Sequence, residues 1–288
     1  MSAVATPQRR SEPLTFAHDR GVRSHFFAPE SFGHWAKLHL GLLGWIVERY
    51  TVEGDTLLDP MAGTGSLMLA ATVGRHVIVR DVEPAYLALL HTNAARFVAT
   101  AGLFDGRITV GQHDAREPWG LTVDHIICSP PYGNEVRTPG VRFQQRDRME
   151  KLAYTTRRWR SQLRKQQAGS LASYFARYQS EHPANIGNWR GDRYWAAMAA
   201  IYTQAAAALQ PDGYMVLVLK DHISHGQRVH TTEQTIALCE GLGFALVEQH
   251  ARLVYPLSLW QRRRQERGEE IVESEDVLAF KKGERGFL

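Results

Sequence analysis

The string LLDPMAGTGS, residues 57–66, constrains the fold of this 288-residue chain more than any other segment. An apolar run ends on Asp59 and Pro60, Ala62 follows, and Gly63 and Gly65 bracket a tight turn. Glycine there lets the backbone take positive φ and come close to a ligand. The small residues of 65–73 then read as a helix. A strand passing through such a turn into a helix opens a parallel α/β unit. Two other glycine-rich loops are disfavoured. The Lys-Ser/Thr ending of a phosphate-binding loop is missing, and Met68 stands where the dinucleotide fingerprint has its third glycine.

The alternation continues along the chain. A helix is expected over 31–50, with Trp35, Leu38, Leu42, Leu43 and Ile46 on one face. A second strand spans 76–81, and Pro84 opens a helix reaching about Ala101. A third strand covers 107–111 and a fourth ends at Cys128. After a break at 133–191 come a helix over 192–209, a Pro211-Asp212-Gly213 turn and a strand at 214–220. A helix at 231–242, ended by Gly243, and strands at 244–250 and 276–282 complete the pattern. This predicts a doubly wound, mostly parallel seven-stranded α/β sheet with right-handed crossovers and one inserted basic segment. The expected organisation is a flexible polar leader at 1–24, one half of the domain at 25–132, the insertion at 133–191 and the other half at 192–288.

The 44% hydrophobic content suffices for a core. No apolar run is long enough for a bilayer, and the N-terminus lacks the apolar region of a signal peptide, so a cytoplasmic protein with no membrane partner is expected. Cys128 and Cys239 have no metal-like spacing and read as buried thiols in a reducing compartment. No metal site is expected. The net charge of +4 conceals a sharp asymmetry: ten Lys/Arg and two acids between Arg137 and Gln166 give that segment +8, and the rest is slightly acidic. Such a distribution fits a local polyanion contact, with Arg142, Arg157, Arg158 and Arg160 as candidates. Phe143, Tyr154, Trp159 and Trp189 are interleaved with these arginines, and they suit base stacking or the core of a small helical lid. The stretch 182–195, HPANIGNWRGDRYW, is polar and aromatic and is a candidate lining of a target pocket. Arg262 to Arg264, offset by nearby glutamates, read as a solvated hairpin.

Three acids stand at successive strand ends, where open α/β sheets bind ligands. Asp59 precedes the glycine turn. Asp81, with Glu83 as the fallback, is placed to accept ribose hydroxyls, and Asp114 an adenine amino group. The fourth strand ends in Ser129-Pro130-Pro131-Tyr132. An exocyclic amine of a base is a poor nucleophile because its lone pair is delocalised into the ring. Prolines lack N–H, so this peptide run offers carbonyl acceptors that can take the amine's hydrogens. The Ser129 hydroxyl adds an acceptor, and Tyr132 can stack on the ring.

On these strings the chain resembles class I, Rossmann-like amino-methyltransferases, above all the cytosine-N4/adenine-N6 group of DNA methyltransferases. DPMAGTGS resembles their D-P-F-x-G-x-G-T motif, with Met61 where Phe is usual. SPPY has the cytosine-N4 form; adenine-N6 enzymes more often carry D-P-P-Y, and guanine-N2 RNA or glutamine enzymes N-P-P-Y. HFFAPESFGHWAKLHLGLL resembles the segment that covers the cofactor, and would bring His34 and Lys37 there. The resemblance implies S-adenosylmethionine held by Asp59, Pro60, Ala62, Gly63, Gly65, Asp81 and Asp114. It implies catalysis by Ser129, Pro130, Pro131 and Tyr132, and a nucleic-acid partner, DNA before RNA. The insertion matches nothing in that family. The motif order is shared with guanine-N2 enzymes of transfer or ribosomal RNA, so that reading stays open beside a non-catalytic nucleic-acid-binding module.

Overall fold

Seven strands lie side by side in the order β9-β10-β6-β5-β2-β3-β4. They are β2 (Thr56–Asp59), β3 (His76–Asp81), β4 (Arg107–Gln112), β5 (Val123–Cys128), β6 (Leu209–Leu219), β9 (Phe244–Leu253) and β10 (Ser274–Lys282). All seven correspond to expected strands. The protein is described from a computed structural model, over residues 8–9, 12–33, 37–102, 105–131, 182–224, 227–254, 257 and 259–283. The central pairings β5–β6, β2–β5, β2–β3 and β3–β4 are parallel, whereas β10 runs antiparallel between β6 and β9.

Successive strand residues point to opposite faces, and both faces here are apolar. Leu58, Ile126, Cys128, Met215, Leu217, Leu278 and Phe280 pack against the helix α4 (Gly191–Ala208) and Cys239 of α5 (Thr231–Gly241). Leu57, Val77, Val79, Ile127, Val216, Val218 and Val277 face the other way, onto α2 (Leu40–Tyr50), the 3-10 turn Ser66–Val73 and α3 (Pro84–Ala101). Burial on both faces is what a mostly parallel sheet requires. Pro84 occupies the first turn of α3 as expected.

Several expectations need correction. The helix expected over 31–50 begins only at Leu40, because His39 adopts an extended backbone and its Nδ1 accepts from the Leu42 N–H at 3.4 Å. Before it runs a short 3-10 turn, Pro29–Gly33; His34 and Trp35 lie outside the described residues. Residues 66–73 form a 3-10 helix, bounded by Gly65 and Gly74 in left-handed conformations. The Pro211-Asp212-Gly213 turn is absorbed into β6, where the register with β5 shifts between Val123 and His125. Arg262, Arg263 and Arg264 lie on the helix α6 (Leu259–Glu266), and Arg264 and Arg267 pair with Glu269. The 1–24 leader is not loose throughout. Gln8–Arg9 (β1) pair with β9, Leu14 exchanges backbone hydrogen bonds with Ala251 and Leu253, and α1 (Arg20–Phe26) buries Arg23. A separate hairpin joins β7 (His222–Ser224) to β8 (Gln227–Val229).

Cys128 and Cys239 are both free and buried, and burial raises both thiols well above their ordinary value. Among the described residues no helix is long and apolar enough to cross a membrane, and no three His, Cys, Asp or Glu side chains group as metal ligands.

Candidate cofactor and amino-group site

The strand order reverses between β2 and β5, whose residues pair Leu57 with His125 and Leu58 with Ile126. Chain leaving the carboxyl ends of two such strands diverges to opposite faces and opens a crevice. The two informative strings therefore meet: the glycine turn follows β2, and Ser129-Pro130-Pro131 follows β5.

The turn is fixed from several directions. Gly63 and Gly65 have φ of 53° and 78°. A Cβ at Gly65 would come within 2.7 Å of Leu90 Cδ2 and 2.9 Å of Met68 Cε, so that position requires glycine for space as well as conformation. Ala62 N–H donates to the Arg80 carbonyl at 2.9 Å, which ties the turn to β3. The Asp81 carboxylate accepts from the Gly63 N–H at 2.8 Å and the Glu83 N–H at 2.9 Å. Asn93, fully buried on α3, donates from its amide to the Thr64 carbonyl at 2.9 Å and accepts from the Ala28 N–H at 2.8 Å. Arg23 reaches Ser66 Oγ at 3.3 Å, the Leu38 carbonyl at 2.8 Å and the Asp19 carboxylate at 2.8 Å. The segment preceding β2 is thus pinned across the turn. Lys37 lies in it, donating to the Phe32 carbonyl at 3.2 Å, and burial, helped by repulsion from Arg23, lowers its pKa to about 8.

The acids carry unequal environments. Burial pushes Asp59 up to about 7, against the pull of the Met61 N–H that it accepts at 3.1 Å and with added repulsion from Asp81. Burial likewise raises Asp81 to about 6. Asp114 is pulled below its ordinary range, chiefly by the Arg116 guanidinium, whose Nε donates to Oδ1 at 2.9 Å. The three strand ends thus hold two buried acids that lack a cation among the described residues and one acid already paired.

Opposite them, Ser129 is half-buried, Pro130 buried and Pro131 half-buried. The Tyr194 hydroxyl, from the first turn of α4, donates to the Pro131 carbonyl at 2.9 Å. Among the described residues none takes the Ser129 hydroxyl or the Pro130 carbonyl. Tyr132, Arg142, Arg157, Arg158 and Arg160 lie outside the described residues.

Residues 182–190 bridge both halves of this edge. The Asn185 side chain accepts from the Gly187 N–H at 2.9 Å, capping the 3-10 turn Ile186–Asn188, and donates to Glu83 Oε1 at 2.9 Å. Gly187 packs close to Pro131: a Cβ there would sit 3.3 Å from the proline ring. Arg23, Asn93, Asn185 and Tyr194 were not singled out from sequence. The polar and aromatic stretch 182–195 was the one signal for the last two. A lone buried polar residue on a helix, such as Asn93, leaves no mark in periodicity.

The strand order together with the antiparallel β10 gives the chain a Rossmann-like class I methyltransferase fold. No family model and no curated protein matches it. Similar solved structures include TrmN from Thermus thermophilus, at 17% identity and a TM-score of 0.47, covering 88% of this chain and 52% of that one. The chain thus spans about half the length of that structure. A SAM-dependent methyltransferase from Methanosarcina mazei matches at 12% identity and a TM-score of 0.48, over 83% of this chain and 97% of that one. A putative RNA methyltransferase from Pyrococcus horikoshii matches at 14% identity and a TM-score of 0.44, over 85% and 82%. Identities of this size say nothing about substrate.

Proposed function

We propose that the chain is an S-adenosylmethionine-dependent methyltransferase acting on an exocyclic amino group of a nucleic-acid base, with cytosine N4 of DNA as the target. The observation that carries this reading is the pairing of β2 with β5, which brings the glycine turn and the Ser-Pro-Pro run to one crevice. The residues present suit the cofactor. Gly63 and Gly65 keep the turn open to a ligand, and Asp59 and Asp81 are buried acids with no cation beside them among the described residues. Asp81 retains lone pairs beyond the two N–H groups it holds, which supports giving it the ribose hydroxyls, with Glu83 as neighbour. Asp114 meets adenine only from within its pair with Arg116. Pro60 and Ala62 would line the turn.

When bound, S-adenosylmethionine would supply an electrophilic sulfonium methyl. The chain's own residues orient and electronically prepare the amine. The Pro130 carbonyl and the Ser129 hydroxyl accept its two hydrogens, which lets the nitrogen pyramidalise and direct its lone pair. Tyr194 holds the Pro131 carbonyl and so fixes the turn. Tyr132 stacks on the base, and Arg142, Arg157, Arg158 and Arg160 contact the phosphate backbone.

The test is methyl transfer from labelled cofactor into duplex DNA and total RNA in parallel, with Ser129→Ala as control, followed by nucleoside analysis. N4-methylcytosine in DNA is expected. Label confined to methylated guanine in RNA would overturn the target while retaining cofactor and chemistry; no transfer to either would overturn the whole reading.

A further inference from the structure

Beside the Ser-Pro-Pro turn, two guanidinium groups share one indole. The Cζ of Arg193 lies 3.9 Å from the centroid of the Trp189 ring, and that of Arg116 lies 4.7 Å from it. Trp189 follows the 3-10 turn that packs on Pro131, its N–H donating to the Ile186 carbonyl at 2.9 Å. Gly191, at φ 50°, then turns the backbone into α4, and Arg193 in the first turn of that helix folds back over the ring. The two cations differ in their surroundings. Arg116 is forked onto Asp114. Arg193 is exposed, and among the described residues no carboxylate pairs with it.

Two like charges over one ring repel each other; the carboxylates of Asp114 and Glu117 offset Arg116, and among the described residues none pairs with Arg193. A guanidinium lying on an aromatic ring keeps its plane fixed while its edge N–H groups remain available, the arrangement that suits bidentate recognition of phosphate. The bland alternative, packing of α4 by the arginine stem, accounts for the contact with Trp189. It does not account for a second cation on the same ring that has no counterion among the described residues.

We propose that Arg193, held on Trp189 beside Arg116, binds a phosphodiester of the nucleic acid close to the target base. This rests on the nucleic-acid reading above and adds a phosphate site built from described residues, distinct from the arginines of residues 137–166. Its place next to Pro131 sets the reach: the phosphate it holds flanks the nucleotide presented to Ser129 and Pro130.

The test measures binding of labelled duplex DNA and of single-stranded RNA over a salt series, without cofactor, for wild type, Arg193→Gln, Arg193→Lys and Trp189→Leu. Losing one phosphate contact lowers the slope of log affinity against log salt by about 0.9 for a duplex and about 0.7 for a single strand. Arg193→Gln is expected to show that loss on whichever nucleic acid is the true ligand, with weaker binding at low salt. Arg193→Lys should restore the slope but not the full affinity, since its ammonium cannot stack or fork. Trp189→Leu should weaken binding with the charge retained. Wild type binding nucleic acid with an unchanged slope in Arg193→Gln would overturn this site and leave the enzyme's proposed function standing. No binding of either nucleic acid by wild type at any salt would overturn both.

Discussion

The carboxylate of Asp81, at the end of β3, accepts the backbone N–H of Gly63 at 2.8 Å, so one strand end holds the glycine turn of its neighbour. Its other oxygen takes the Glu83 N–H at 2.9 Å. Asp81→Asn must turn an amide NH2 toward one of these two donors. The variant should lose about 1–3 kcal/mol of stability, the cost of a buried donor left unpaired. Cofactor affinity should fall by about tenfold or more, since a 1.4 kcal/mol loss is already a factor of ten. Thermal denaturation and calorimetry with S-adenosylmethionine check the two effects. Unchanged cofactor affinity in a destabilised variant would make Asp81 a scaffold residue alone.

The contribution of Asp59 and Asp81 to stability should fall as pH rises from mildly acidic to neutral, against the opposite contribution of the buried His39 and His125. Burial raises Asp59 from 3.8 to about 7 and Asp81 from 3.8 to about 6, so between those limits the folded chain holds protons that the unfolded chain has released. The penalty for ionising these acids is absent below the unfolded value and complete above about 7. Asp59→Asn removes one such ionisation. Its stability relative to wild type should therefore rise between pH 4 and 7 and stay level above that window. Urea unfolding at pH 5 and pH 8 measures it, and an equal difference at both would contradict the assignment.

Tyr194→Phe removes the hydroxyl that holds the Pro131 carbonyl. A single hydrogen bond of this kind is worth about 1 kcal/mol to stability. The sharper effect should be on turnover: kcat reduced severalfold with cofactor affinity unchanged, because the turn and not the cofactor loses its support. Ser129→Ala should lower kcat by roughly 100- to 1,000-fold, in line with loss of one preorganised polar contact to a reacting group.

Asn185→Asp sets a carboxylate against Glu83, which is only 5% exposed and now accepts the Asn185 amide at 2.9 Å. Like charges at that separation cannot both ionise cheaply. The variant should be less stable than wild type at pH 8 and recover much of the difference at pH 5. Asn185→Ala should instead cost about 1 kcal/mol at either pH, for the hydrogen bond to Glu83 that is lost.

Strong periodic segments were legible from the sequence to within a residue or two: His76–Asp81, Pro84–Ala101 and Val123–Cys128 needed only apolar patterning and one favourable proline. The start of α2 was not, because a single extended residue, His39, ends an apolar pattern that reads as unbroken. The 1–24 segment reads as a polar, flexible leader, yet Arg23 is buried by partners 15 and 43 positions away, which no local pattern can announce. At the site, the motif residues were legible by type and spacing. Their partners were not: Asn93, Asn185 and Tyr194 act through tertiary hydrogen bonds to backbone or to a carboxylate. Asp114 was readable as an acid at a strand end, but its pairing two residues along with Arg116 depends on how the loop curls.

Among the described residues β9 is joined to β6 only through β10, and Val277, Leu278, Ala279 and Phe280 of β10 are wholly buried. During synthesis β6 and β9 leave the ribosome before the strand that belongs between them. Until residue 282 has emerged, both carry unpaired edges. The interval invites direct but wrong pairing of β6 with β9, and growing chains halted in that interval should be the aggregation-prone species. Closing the sheet thus waits on β10, although the candidate site is built largely from strands made much earlier.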